Sequence, residues 1–106
     1  MVASLWGKSD GAVSSPTMSD QHLIQVAKEF GTPVYVYHAE KIAAQYKKLT
    51  TAFSKSNVVF FYACKALTNI SVIKYLHSLG ASIDCSSINE AKLALHAGFL
   101  PQNVLY

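Results

Sequence analysis

Cysteine, clustered charge and long apolar runs are all scarce in this sequence, and each scarcity excludes a class of protein. Two cysteines, Cys64 and Cys85, are too few and too far apart for a disulfide framework or a four-ligand zinc site, so both are expected to be reduced. The histidines (His22, His38, His77, His96) stand at wide, irregular spacings, each alone on its segment, and no metal is assigned. Charged residues make up only 14% of the chain. The net charge of +3 is scattered, with Lys47-Lys48 the densest basic run, which is not a nucleic-acid footprint. No stretch approaches the roughly 18 consecutive apolar residues of a membrane span, and the first twenty residues lack the apolar core of a secretory signal. The expectation is a soluble, cytoplasmic protein with neither nucleic acid nor membrane as a partner.

What the chain does have is core-forming material: 51% of its 106 residues are hydrophobic. A chain this short still buries only roughly 60–65% of its surface, so an architecture cut to this length is marginal without a partner. Residues Met1 to Thr17 show no apolar periodicity and read as a flexible leader or extension, which sets a first segment at 1–18. From Ser19 the pattern changes. Ser19 or Asp20 caps a helix with Leu23, Ile24, Ala27 and Phe30 on one face, ending at Gly31.

After Thr32-Pro33, Val34 to Tyr37 has strand composition, and Ala39 to Phe53 carries a helical stripe of Ile42, Ala43, Tyr46, Leu49 and Phe53. Val58 to Cys64 is continuously apolar, the pattern of an interior parallel strand covered on both faces. Ile70 to Leu79 is a helix stopped by Gly80, and Ser82 to Cys85 is a short strand. Ser87 with Glu90 is a capping-box signature for a helix through Ala97, ended by Gly98. Pro101 then leads into a strand start at Val104-Leu105-Tyr106.

Alternating strands and helices of about ten residues imply right-handed βαβ crossovers and a parallel sheet, an α/β fold. Its two homes are an open doubly wound sheet and the closed (β/α)8 barrel, which needs roughly 250 residues. Because the pattern stops on an uncovered strand, residues 19–106 are expected to be the incomplete N-terminal part of such an architecture. Active sites of these folds form at the C-terminal strand ends, where Lys65 and Asp84 fall. A lysine closing an apolar run is costly to bury unless its amine is paired, neutralised or consumed in a covalent bond. Lowering its pKa from about 10.4 is also what makes an amine nucleophilic toward a carbonyl. Spacing alone leaves the plainer reading in front: Lys65 extends into solvent from a strand end, and Asp84 is a turn or cap residue.

The surrounding motifs change that balance. Tyr62-Ala63-Cys64-Lys65-Ala66 resembles the Tyr-Ala-x-Lys-Ala motif of pyridoxal-phosphate-dependent decarboxylases with an alanine-racemase-like barrel. Phe30-Gly31-Thr32-Pro33-Val34-Tyr35-Val36-Tyr37 resembles the opening of the diaminopimelate decarboxylases within that group. Leu79 to Ser87, through Glu90, is similar to the family's second-strand motif, and Ala97-Gly98-Phe99 with Pro101 to its lead into the third strand. The four motifs stand in family order from about residue 20 to the end. One departure is Leu67-Thr68-Asn69, where the family commonly places Asn directly after Lys-Ala.

The resemblance implies a TIM-type barrel in which Lys65 carries pyridoxal 5'-phosphate as a Schiff base, with Ala63 and Asp84 also at the cofactor. Strand alternation puts Ala63 and Lys65 on one face and Cys64 on the other, with Asp84 opposing Cys85, so both cysteines face the helices as inert thiols. Glu90 resembles an acidic position of the family near the site, but capping already accounts for it. The implied activity is amino-acid decarboxylation, meso-diaminopimelate to L-lysine, in a full-length homodimer. The phosphate loop, the acid at the pyridine nitrogen and the second-subunit residues are expected beyond Tyr106, and these 106 residues alone are expected to be inactive. Alternatives are ornithine or arginine decarboxylase, a racemase of the same barrel group, or a small non-catalytic α/β binding module.

Overall fold

The computed structural model describes residues 2, 3 and 17–106. The rest of the expected leader lies outside the described residues. Two compact units divide the chain, residues 1–45 and 46–106. In the first, β1 (Val2–Ala3) pairs in parallel with β2 (Tyr35–Val36), with α1 (Asp20–Phe30) between them in sequence. That pairing is not foreshadowed by the composition of the leader, nor is the position of β2 outside the sheet that holds the later strands. The α1 helix starts where its cap signal lies: the Ser19 hydroxyl accepts from the His22 amide, and Gly31 closes the far end at φ 78°. Helix α2 (Ala39–Ala52) carries the chain from one unit to the next in sequence.

The second unit is a three-stranded parallel sheet ordered β3 (Phe61–Ala63), β4 (Ser82–Asp84), β5 (Val104–Leu105). The crossovers are α3 (Ile70–Ser78) and α4 (Ile88–Ala97). Register is set pairwise, Tyr62 to Ile83 to Val104 and Ala63 to Asp84 to Leu105. Strand residues in register share a face, so these two rows lie on opposite sides of the sheet. The row through Ile83 meets the helices: Ile83 is fully buried with Ile73 of α3, Ala94 and Ala97 of α4, Phe99 and both cysteines, while Tyr62 and Val104 pack against this cluster. The other face is partly open: Leu105 and Phe61 are substantially exposed and Ala63 and Asp84 half-buried, while Ser82, the register partner of Phe61, is buried.

Two strand expectations need correction. The apolar run at 58–64 does not form one strand covered on both faces: Val58 and Val59 are exposed, pairing as a strand is confined to 61–63, and Cys64–Ala66 turns as a 3-10 helix. The interior strand of the described sheet is β4, where Ser82 and Ile83 are buried along with the adjoining Ala81 and Cys85, and β3 is a flank. An apolar run reports what could be covered, not which neighbour covers it. Helix ends fare better, because their signals are local. Asn69 caps α3 by accepting from the Ser71 and Val72 amides, and Ser87 caps α4 by accepting from the Glu90 amide. Among the described residues no helix is long and apolar enough to cross a membrane.

Candidate active site

The C-terminal ends of β3 and β4 bring three singled-out residues into one neighbourhood. Ala63 and Asp84 are register partners, both half-buried on the open row. Lys65 lies two residues past Ala63, on the 3-10 turn Cys64–Ala66, and its side chain is exposed. The burial cost that makes this lysine conspicuous in the sequence therefore does not act on it here. No ion pair joins Lys65 to Asp84 among the described residues, so proximity to the acid is supplied by strand register and not by a direct contact.

The turn itself is well held. The Leu67 amide donates to the Cys64 carbonyl at 3.2 Å, closing the 3-10 turn. The Thr68 hydroxyl donates to the same carbonyl at 3.1 Å. From the other side of the strand, the Tyr62 hydroxyl donates to the Leu67 carbonyl at 3.1 Å, spanning the five residues around the lysine. Asn69, next in the chain, is fixed as the cap of α3. Sequence reasoning names Tyr62 as part of a motif and Thr68 as part of a departure from it. Neither role as a hydrogen-bond donor is readable from spacing, because the reach of a side chain over a turn depends on the turn.

The cysteines fall where strand alternation places them, in the core on the helix side. Burial raises the Cys64 thiol pKa, the Glu90 charge adds to the rise, and hydrogen bonds from Thr68 and Cys85 partly oppose it. Cys85 is pushed up to about 11, again chiefly by burial, then by the neighbouring Cys64, Glu90 and Asp84. Both are poor nucleophiles near neutral pH. Glu90 caps in modified form: its amide donates to the Ser87 hydroxyl at 3.2 Å, but its carboxylate accepts at 2.7 Å from the Ser86 amide, one residue before the cap, rather than from Ser87. It also faces the thiols electrostatically, a role that capping alone does not reveal.

A strand end that presents an exposed primary amine on a hydrogen-bonded turn, near a small residue and an acid, suits covalent capture of an aldehyde. The family model of the pyridoxal-dependent decarboxylase, pyridoxal binding domain, matches residues 39–106. The chain is 44% identical over 85 residues to a diaminopimelate decarboxylase of Methanothermobacter thermautotrophicus, covering 78% of this chain and 20% of that protein. It is 37% identical over 82 residues to a diaminopimelate decarboxylase of Campylobacter jejuni, covering 77% and 20%. An L-glutamyl-(BtrI acyl-carrier protein) decarboxylase of Niallia circulans is 29% identical over 89 residues, covering 84% and 21%. The chain thus spans about a fifth of the length of these relatives.

Proposed function

The chain belongs to the pyridoxal-binding domain family of the pyridoxal-dependent decarboxylases, with pyridoxal phosphate the cofactor this membership implies, and on that premise we propose that Lys65 is the residue that holds it. The observation that carries the reading is the exposed Lys65 amine on its hydrogen-bonded turn at the C-terminal end of a parallel strand. Lys65 Nζ would hold the cofactor through a covalent bond to its aldehyde carbon, the aldehyde oxygen being lost as water, and would be displaced by a substrate amine. When bound, the cofactor supplies the electron sink that accepts the pair left behind as the α-carboxylate departs as carbon dioxide. Ala63, small and on the open row, leaves room for a flat ring, and Asp84 supplies a negative charge near the lysine turn.

The proposed reaction of the whole protein is decarboxylation of meso-diaminopimelate to L-lysine, in a cytoplasmic homodimer organised as a (β/α)8 barrel. The names of the diaminopimelate decarboxylase relatives and the Gly31-Thr32-Pro33 opening support that substrate. The Niallia circulans relative acts, by its name, on a glutamyl carrier protein, and it motivates a second reading in which the distal end of the substrate differs. Family membership favours either enzymatic reading over a small binding module.

The test is reduction of the cofactor-loaded whole protein with borohydride, followed by peptide mapping. The expected result is label on Lys65 and its loss in Lys65→Ala; label on another lysine overturns the assignment. Carbon dioxide release from diaminopimelate, ornithine and arginine then identifies the substrate, with diaminopimelate expected to be preferred.

A further inference from the structure

The turn that bears Lys65 is anchored by side chains, and the anchors are not generic. In the 3-10 turn Cys64–Ala66 the first residue is buried and the next two are exposed, and the Leu67 amide closes it onto the Cys64 carbonyl. Turns of this kind are poorly self-sufficient, since their hydrogen-bond geometry is weak. Two hydroxyls compensate. Thr68 Oγ1 adds a second donor to the Cys64 carbonyl, whose residue is fully buried in the core. Tyr62 is on the helix-facing row, its side chain packed against the core, and its Oη reaches past the strand end to the Leu67 carbonyl. The Thr68 bond closes across the lysine turn and the Tyr62 bond ties its far end to a core-packed side chain, while Lys65 is exposed on the turn between them.

We propose that Tyr62 and Thr68 are positioning residues that hold the Lys65 amine for capture and release of the cofactor aldehyde. This rests on the reading of Lys65 as the cofactor lysine. Each hydroxyl donates to a backbone carbonyl at one end of the turn. Each removes freedom from the turn, so that less order has to be imposed on Lys65 when its amine meets the carbonyl. A neutral hydrogen bond of this type fixes an equilibrium by a factor of about two to ten. The same factor is expected in the rate at which Lys65 forms its covalent linkage.

The experiment uses the whole protein freed of cofactor, in the variants Tyr62→Phe, Thr68→Val, Thr68→Ser and Lys65→Ala. Three quantities are read: amide hydrogen exchange at Ala66 to Thr68, the rate of linkage formation after adding pyridoxal phosphate, and the thermal midpoint. Tyr62→Phe and Thr68→Val are expected to speed exchange in that segment and to slow linkage about two- to tenfold. Thr68→Ser, which restores the hydroxyl, returns both to the parent values. Wild-type linkage rates in Tyr62→Phe and Thr68→Val, even with a lowered midpoint, reduce the hydroxyls to a structural role and overturn the proposal. If a variant fails to fold, the serine variant decides, since a linkage defect in Thr68→Ser contradicts a role for the hydroxyl. Linkage that persists in Lys65→Ala defeats the reading of Lys65 itself, whatever the hydroxyl variants do, and this proposal with it. Faster exchange with unchanged linkage defeats the positioning role alone.

Discussion

Cys64 is the chain neighbour of Lys65, and an aldehyde reacts with thiols as well as amines, so the state of that sulfur bears on the selectivity of the turn. Burial keeps Cys64 and Cys85 protonated and removes them from competition. Neither thiol is therefore expected to react with Ellman's reagent in the folded protein at pH 8, whereas two react after denaturation; rapid reaction of either in the native state contradicts this account. The same burial has a stability consequence. Cys85 titrates near 9.0 when unfolded and about 11 when folded, so the folded state holds its proton to higher pH. Its contribution is present in full below pH 9 and is lost as pH rises through about 11, on the order of 2–3 kcal/mol. Chemical denaturation at a series of pH values should show this fall, and Cys85→Ala should flatten it.

At the scale of the element, α4 is defined at both ends by side-chain identity, and each end is separately testable. Ser87 caps its start, and Ser87→Ala is expected to cost about 1 kcal/mol, read as a shift in the denaturation midpoint. Gly98 ends it at φ 106°, where an added Cβ is strained and also meets the His77 ring at 3.4 Å, so Gly98→Ala should cost about 1–3 kcal/mol. These ends were legible in the sequence because a cap is a statement about three or four adjacent residues. The run Val58 to Cys64 was not, because whether an apolar residue is covered depends on elements far away in sequence. The site was legible to a similar depth. Ala63 and Asp84 are register partners, a pairing that alternation within one strand does not predict, while Lys65 is on a turn rather than a strand, and the Tyr62 and Thr68 bonds depend on that turn's shape.

At the scale of the molecule, the two rows of the second unit's sheet have unequal fates. The helix-facing row packs on the core, while the opposite face buries Ser82 but leaves Phe61 at 41% and Leu105 at 52% exposure near Ala63 and Asp84. In the proposed barrel this row faces the interior, so its apolar members are covered by strands and cofactor and not by α3 or α4. Strands β3 and β5 each have one side without a partner in the described sheet, and apolar flanks of this kind favour pairing between molecules. The 106-residue chain on its own is accordingly expected to self-associate at micromolar concentration, to bind pyridoxal phosphate weakly and to release no carbon dioxide. Sedimentation velocity and cofactor absorbance check this directly. Placing carboxylates on the open row, Phe61→Glu with Leu105→Glu, should shift the isolated chain toward monomer with its helical circular dichroism retained, because neither side chain belongs to the core of α3 and α4. In the whole protein the same pair should diminish cofactor capture, because the charges then fall inside the barrel. A whole protein that tolerates both carboxylates without loss of capture places this face outside the barrel and removes the basis for assigning Ala63 and Asp84 to the cofactor.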